Sequence, residues 1–312
     1  MRKEQLAVIL RCSSGMAKVS LVRLSDPGLE GLPAMTIPRI AHFVFGLREQ
    51  DRPFHLVHYL ALESCRRILR PEAIYLHYKH LPYGVYWDLI RPHLTLCEVD
   101  LAPEVSRGPA ASPLVPAQYS YAHHADFARL DALIEYGGIY ADMDTLFVRP
   151  FPAELYSRPF VIGREYPVAD ERSGAWRPSL CNAVLMAEPG AGFAVAWRQR
   201  MGAALNGTWS NHSGFLAEEL SQRMPGEVHV EPPRSFYRYG PTPADLALLL
   251  EGQDADTAAV LSIHLWSHLW WDASRRDYSE VHAGLLTDRR IRGVDSTYSL
   301  LARSFVPELQ LW

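Results

Sequence analysis

Apolar runs and helical repeats alternate through most of the chain. Ile37 to Phe45 (IPRIAHFVF) predicts a buried first strand, ended by Gly46. Phe54, Val57, Ala61, Cys65 and Ile68 then recur at helical spacing, with Asp51 as the expected cap and Pro53 in the first turn. Arg66, Arg67 and Arg70 fall in the expected last turn, where positive charge offsets the helix dipole, and Pro71 stops it. Ala73 to Tyr78 predicts a second strand, Val85 to Ile90 a short helix and Leu94 to Val99 a third strand. Strand, helix, strand, helix, strand is the opening of a doubly wound α/β sheet, the usual frame for nucleotide binding.

Further along, Ser120 to Tyr136 predicts a helix with Phe127, Leu130 and Ile134 on one stripe and Gly137 as its stop. Thr145 to Phe151, Val161 to Gly163, Ala183 to Met186 and Val260 to His264 predict strands; Ala194 to Leu205 and Phe215 to Arg223 predict helices. Pro103 to Pro116, with four prolines, is expected to be an ordered loop or a mobile cover beside the site. Residues 1–35 are the least periodic, with Leu6–Leu10 and Val19–Leu24 as a candidate hairpin. These divisions suggest an accessory segment 1–35, a main domain 36–272 and a tail 273–312 packing on it.

Composition narrows the classes. At 312 residues with 48% hydrophobic and 21% charged side chains, the chain can bury a full core. A formal net charge of −4 gives no electrostatic case for nucleic acid. No apolar run reaches the length of a membrane span, and Arg11 interrupts the stretch after Met1-Arg2-Lys3 that resembles a signal peptide. Cys12, Cys65, Cys97 and Cys181 form no close pair and read as reduced thiols, so a cytoplasmic location is expected. Arg275, Arg276, Arg289, Arg290 and Arg292 allow peripheral contact with an inner membrane.

The densest chemistry lies in Tyr136-Gly137-Gly138-Ile139-Tyr140-Ala141-Asp142-Met143-Asp144-Thr145. Read as an extended strand, this puts Tyr140, Asp142 and Asp144 on one face. Adjacent anions repel, and a cation between them keeps both ionised, so the pair predicts a divalent-metal site at a strand's carboxyl end. Two solvated turn carboxylates are the plainer alternative. A calcium loop fails because Leu146, Phe147 and Ala153 stand where a ligand, glycine and glutamate are needed. A phosphatase of the haloacid dehalogenase type also starts with Asp-x-Asp, but it needs a downstream lysine, and none follows Lys79. A non-catalytic binding module of the same fold remains the other class. Phe236, Tyr237 and Tyr239 are either core aromatics or a stacking platform for a ligand.

Ala125-Asp126-Phe127-Ala128-Arg129, the Tyr136–Asp144 stretch, Cys181-Asn182-Ala183 and His264-Leu265-Trp266 together resemble the DXD-motif glycosyltransferases, with Ala125 in place of the usual serine. The resemblance spans roughly residues 37–271 and implies a GT-A fold: α/β, with a Rossmann-like, mostly parallel sheet flanked by helices and C-terminal acceptor-side additions. It implies transfer of a hexose with retention of configuration from a nucleotide sugar, UDP favoured over GDP, to a glycan, lipid-linked or protein acceptor. Asp142, Asp144 and His264 would hold Mn²⁺ or Mg²⁺. Asp126 and Arg129 would grip the donor sugar and its phosphate, Asn182 would sit near the attacked face, and His42, Phe43, Val44, Tyr140 and Trp266 would line the nucleotide.

Overall fold

The computed structural model describes residues 11–12, 35–107, 120–267 and 286–309. Leu6–Leu10 and Val19–Leu24 of the candidate hairpin, residues 108–116 of the proline-rich stretch, Arg275 and Arg276 lie outside them.

Strands β1 (Arg11–Cys12), β2 (Ile40–Val44), β3 (Ala73–Tyr78), β4 (Thr95–Glu98), β5 (Gly138–Ala141), β7 (Phe160–Arg164), β10 (Leu180–Ala187) and β11 (His229–Glu231) form one sheet in the order β1-β4-β3-β2-β5-β10-β7-β11. Pairings β4-β3-β2-β5 and β7-β11 are parallel, whereas β10 runs antiparallel to both neighbours and β1 antiparallel to β4. This is the mostly parallel α/β sheet expected of a GT-A fold. Two small ribbons stand apart from it: β8 (Val168–Ala169) with β9 (Trp176–Arg177), and β6 (Thr145–Phe147) with β12 (Ser262–His264).

The central strands β2 and β5 are buried along their whole length, His42 of β2 included, so the sheet is covered on both faces. On one face lies the core around α1 (Leu56–Ser64) and α2 (Val85–Ile90), with Phe43, Leu60, Ile139 and Met186; on the other lies the core around α3 (Pro103–Arg107), α4 (Ser120–Tyr136) and α5 (Gly192–Ala204), with Phe127, Leu130, Tyr140 and Trp197. The C-terminal helices Asp288–Gly293 and Thr297–Ala302 bury Ile291, Tyr298 and Ala302 in the first of these cores.

Several local expectations change. The first helix begins at Leu56, capped by His55 accepting from Val57 N, because Asp51 and Pro53 belong to the preceding loop. It does not end in a plain α-turn: Cys65–Leu69 form a π-turn and Arg70 turns left-handed, with φ 49°. Pro103–Arg107 opens the proline-rich stretch as a helix rather than a loop. Cys97 is disulfide-bonded, with Cys12 opposite it in the strand ladder, so the expectation of four reduced thiols fails and with it the cysteine argument for a reducing compartment. Cys65 and Cys181 are free and buried. Among the described residues no helix is long and apolar enough to cross a membrane.

Candidate metal and donor site

The site begins where α4 ends. Gly137 and Gly138 have φ values of 66° and 98°, which L side chains resist. A Cβ on Gly137 would meet Pro189 Cδ at 2.7 Å, and one on Gly138 would meet Ile40 O at 2.7 Å. The glycine pair therefore serves both the backbone reversal and the close approach of helix to sheet. Gly137 O also accepts from His42 Nε2 at 2.9 Å, tying the helix end to β2.

Strand β5 stops at Ala141, so Asp142 and Asp144 do not share the face of an extended strand. They stand on a turn closed by Thr145 N donating to Asp142 O at 3.0 Å. Asp142 N donates to Ala183 O on β10, and His58 Nδ1 donates to Met143 O, so the turn is pinned from two sides. The following ribbon sets the third group: His264 pairs with Thr145 in the β6–β12 register, and Leu265 N donates to Asp144 O at 3.1 Å. Trp266 then takes φ 54°, a left-handed conformation costly for a bulky residue, which turns the chain so that Ser267 N donates to Asp144 Oδ2 at 2.9 Å.

Each aspartate thus spends one oxygen on the protein and turns the other inward. Asp142 Oδ1 accepts from Tyr140 OH at 2.7 Å and faces Arg129 Nη2 at 3.4 Å, leaving Oδ2 at 3.9 Å from His264 Nε2. Asp144 uses Oδ2 for Ser267 and places Oδ1 at 3.1 Å from the same nitrogen. One ligand atom from each residue lies within 4.8 Å of the others, a donor set of two carboxylates and one imidazole that fits Mn²⁺ or Mg²⁺. Asp142, with 26% of its side chain exposed, is the open side of the cluster.

The titrations follow from this crowding. Burial pushes Asp142 up, only partly countered by Arg129. Burial would also raise Asp144, but His264 and the Ser267 hydrogen bonds hold it well below the usual carboxylate range. Burial would lower His264, and the two aspartates reverse that and raise it.

Arg129 joins this cluster to Asp126. Its guanidinium donates to Asn182 O at 2.7 Å, pairs with Asp126 Oδ1 at 3.0 Å and lies over the Tyr140 ring at 4.6 Å. Asn182 Nδ2 donates to Asp126 Oδ1 at 2.7 Å. The register of β10 shifts between Cys181 and Leu185, and Tyr237 OH stabilises that irregularity by accepting from Val184 N and donating to Cys181 O. Phe236, Tyr237 and Tyr239 are accordingly buried core residues, not an exposed sugar platform.

The nucleotide-lining expectations fare differently. His42 and Phe43 are wholly buried, and the His42 ring is engaged on both sides, by Gly137 O and by His77 Nε2 at 3.0 Å. Their side chains present no surface to a base; Val44, 8% exposed, is the last residue of β2. Tyr140 reaches the site through its hydroxyl alone. Trp266 is buried, its ring 4.5 Å from the His264 ring and its indole N–H donated to Tyr239 O, so it packs against the histidine.

Three site residues were not legible in the sequence. Glu165, just past β7, accepts from Ser179 Oγ and interacts electrostatically with His264; burial pushes its carboxyl up from 4.5 to about 7. His212 and His123 approach Asp126, with His212 Nε2 at 2.8 Å from Asp126 Oδ2. His212 arrives from a π-turn, Asn211–Phe215, far along the chain, and no spacing signal links it to Asp126.

Residues 104–165, which include all of α4, β5, β6 and the turn, match the family described as "Glycosyltransferase sugar-binding region containing DXD motif". Over 210 residues the chain is 35% identical to "Glucan organizing enzyme 1" of Cryptococcus neoformans var. grubii, covering 65% of this chain and 54% of that protein; it thus spans about half the length of this curated relative. Among solved structures, an active-site mutant of LgtC aligns at 15% identity over 80% of this chain and 96% of that one, with TM-score 0.42. The PaToxG glycosyltransferase aligns at 15% identity over 61% and 71%, with TM-score 0.41. Superpositions this loose leave the fold to be read from the chain's own topology.

Proposed function

Because the chain carries, at residues 104–165, the sugar-binding region of the DXD glycosyltransferases, we propose that it transfers a hexose from a nucleoside diphosphate, UDP before GDP, to a hydroxyl of a glycan, lipid-linked or protein acceptor. The observation that carries this reading is the convergence of Asp142 Oδ2, Asp144 Oδ1 and His264 Nε2. These three residues would hold Mn²⁺ or Mg²⁺, which when bound neutralises charge on a diphosphate leaving group.

The rest of the work falls to the chain. Tyr140 OH and Ser267 N fix the two carboxylates so that little reorganisation accompanies bond breaking. Arg129, buried and always charged, faces Asp142 and supplies positive potential beside the departing phosphate. Asp126 and Asn182 hold Arg129 from behind and set the wall that the donor sugar meets. Val44 lies at the strand end where the base would enter. Retention of configuration follows the resembling families. The domain limits 1–35, 36–272 and 273–312 and a peripheral position at a membrane belong to the same proposal, as does a glucan or other polysaccharide as a first acceptor to try, suggested by the name of the fungal relative.

The test is release of nucleoside diphosphate from a panel of sugar nucleotides with Mn²⁺ and mixed acceptors. Asp144→Ala should lower turnover by about 10²–10³-fold while the melting transition persists. Unchanged Mn²⁺-dependent turnover in that variant would remove the cluster from the mechanism, and donor binding without turnover in the parent chain would make it a binding module.

A further inference from the structure

A second convergence of metal-binding atoms lies on the far side of Arg129. His123 and Asp126 stand one turn apart on α4, and the π-turn Asn211–Phe215 brings His212 against them. His212 Nε2 is 2.8 Å from Asp126 Oδ2 and 3.1 Å from His123 Nδ1, and the remaining pair, His123 Nδ1 to Asp126 Oδ2, is 3.8 Å apart.

With neutral rings, His212 Nε2 carries a single proton, and its 2.8 Å contact to Asp126 Oδ2 and 3.1 Å contact to His123 Nδ1 must share it. A tetrahedral ion with ligand bonds of about 2.0–2.1 Å separates its ligand atoms by about 3.3 Å, a distance the three observed edges straddle.

The surroundings also suit an ion. Asp126 Oδ1 is fixed by Asn182 Nδ2 and Arg129 Nη2, which aims Oδ2 at the imidazoles; oriented carboxylates of this kind are what outer partners supply around metals. His212 is fully buried, stacked on Phe127, while His123 and Asp126 keep 11% and 10% of their side chains exposed, leaving one side open for a further ligand. π-turns often mark functional positions in helices. Gly214 in this turn is needed for its approach to β10, since a Cβ there would collide with Ser179 Oγ and Leu180 O.

We propose that His123 Nδ1, Asp126 Oδ2 and His212 Nε2 form a second divalent-metal site, distinct from the Asp142–Asp144–His264 cluster and suited to a borderline transition ion of the zinc type. Two imidazoles with one carboxylate favour such an ion more than the carboxylate-rich DXD cluster does. Its role is to pin the π-turn to α4, and so to fix Asp126 and Arg129.

The test uses the full chain with Asp142→Asn and Asp144→Asn together, which disables the DXD cluster and makes the outcome independent of the glycosyltransferase reading. Titrated with Co²⁺ as a spectroscopic probe, this variant should bind about one equivalent with the strong visible absorption of a low-coordinate site, and Zn²⁺ should displace it. Adding His123→Ala, at the more open edge of the cluster, should abolish that absorption. Should this last variant fold poorly, the melting temperature of the Asp142→Asn, Asp144→Asn chain should still rise with Zn²⁺ concentration. No cobalt absorption, absorption that survives His123→Ala, or a melting temperature indifferent to Zn²⁺ would each overturn the proposal.

Discussion

Two clusters of aspartate and histidine flank Arg129, and they are built in opposite ways. The Asp142–Asp144–His264 cluster hangs on backbone: a turn gives both aspartates, a strand ladder gives the histidine, and main-chain N–H groups fix the carboxylate and carbonyl of Asp144. The His123–Asp126–His212 cluster hangs on side chains, with Arg129 and Asn182 bracing one oxygen and two imidazoles meeting the other. A backbone-fixed site tolerates substitution of its ligands with the fold intact. A side-chain network is cooperative, so losing one member leaves the others buried and unpaired.

The largest test of that contrast is Arg129→Ala, which strips a partner from Asp126 and Asp142 at once. A loss of about 3–5 kcal/mol in denaturant unfolding is expected, from uncompensated buried charge, together with reduced turnover. A loss below about 1 kcal/mol would mean the two clusters do not share it.

A smaller effect should touch the DXD side alone. Glu165 has its pKa raised in the folded chain by burial, against the Ser179 hydroxyl that donates to it. The folded state therefore holds that proton more tightly than the unfolded one. The stabilisation is complete below 4.5 and is lost as pH rises through about 7. In metal-free buffer, Glu165→Gln should flatten the stability slope across that window, measured by urea unfolding at stepped pH. An unaltered slope would assign it to another group.

Smallest is Ser64→Ala. Ser64 Oγ accepts from Phe147 N at 3.0 Å and so anchors β6 beneath the DXD turn. Leaving that buried N–H unpaired should destabilise by about 1–2 kcal/mol, with Zn²⁺-dependent melting unaffected. A change in that melting response would mean that the two clusters are mechanically coupled through the sheet.

Much of this molecule is readable from the order of its residues. Helix α4 and strand β3 occupy the spans their periodicity marks, because buried faces repeat locally at 3.6 or 2 residues. Asp142 and Asp144 are legible because both ligands sit two residues apart. The glycine pair before them is legible too, since only glycine suits its torsions and its contacts.

What only the tertiary structure decided are the encounters between distant segments. The antiparallel insertion of β10, the ladder that sets His264 beside Thr145, and the π-turn that delivers His212 to Asp126 leave no local spacing to read. The same holds for His42, which the resemblance set at the nucleotide and whose ring is engaged in the fold by His77 and Gly137 O. Local pattern fixes which face of an element is apolar. Which polar group meets which across the core is set by packing and by the need to pair every buried donor and acceptor, and those are properties of the assembled fold.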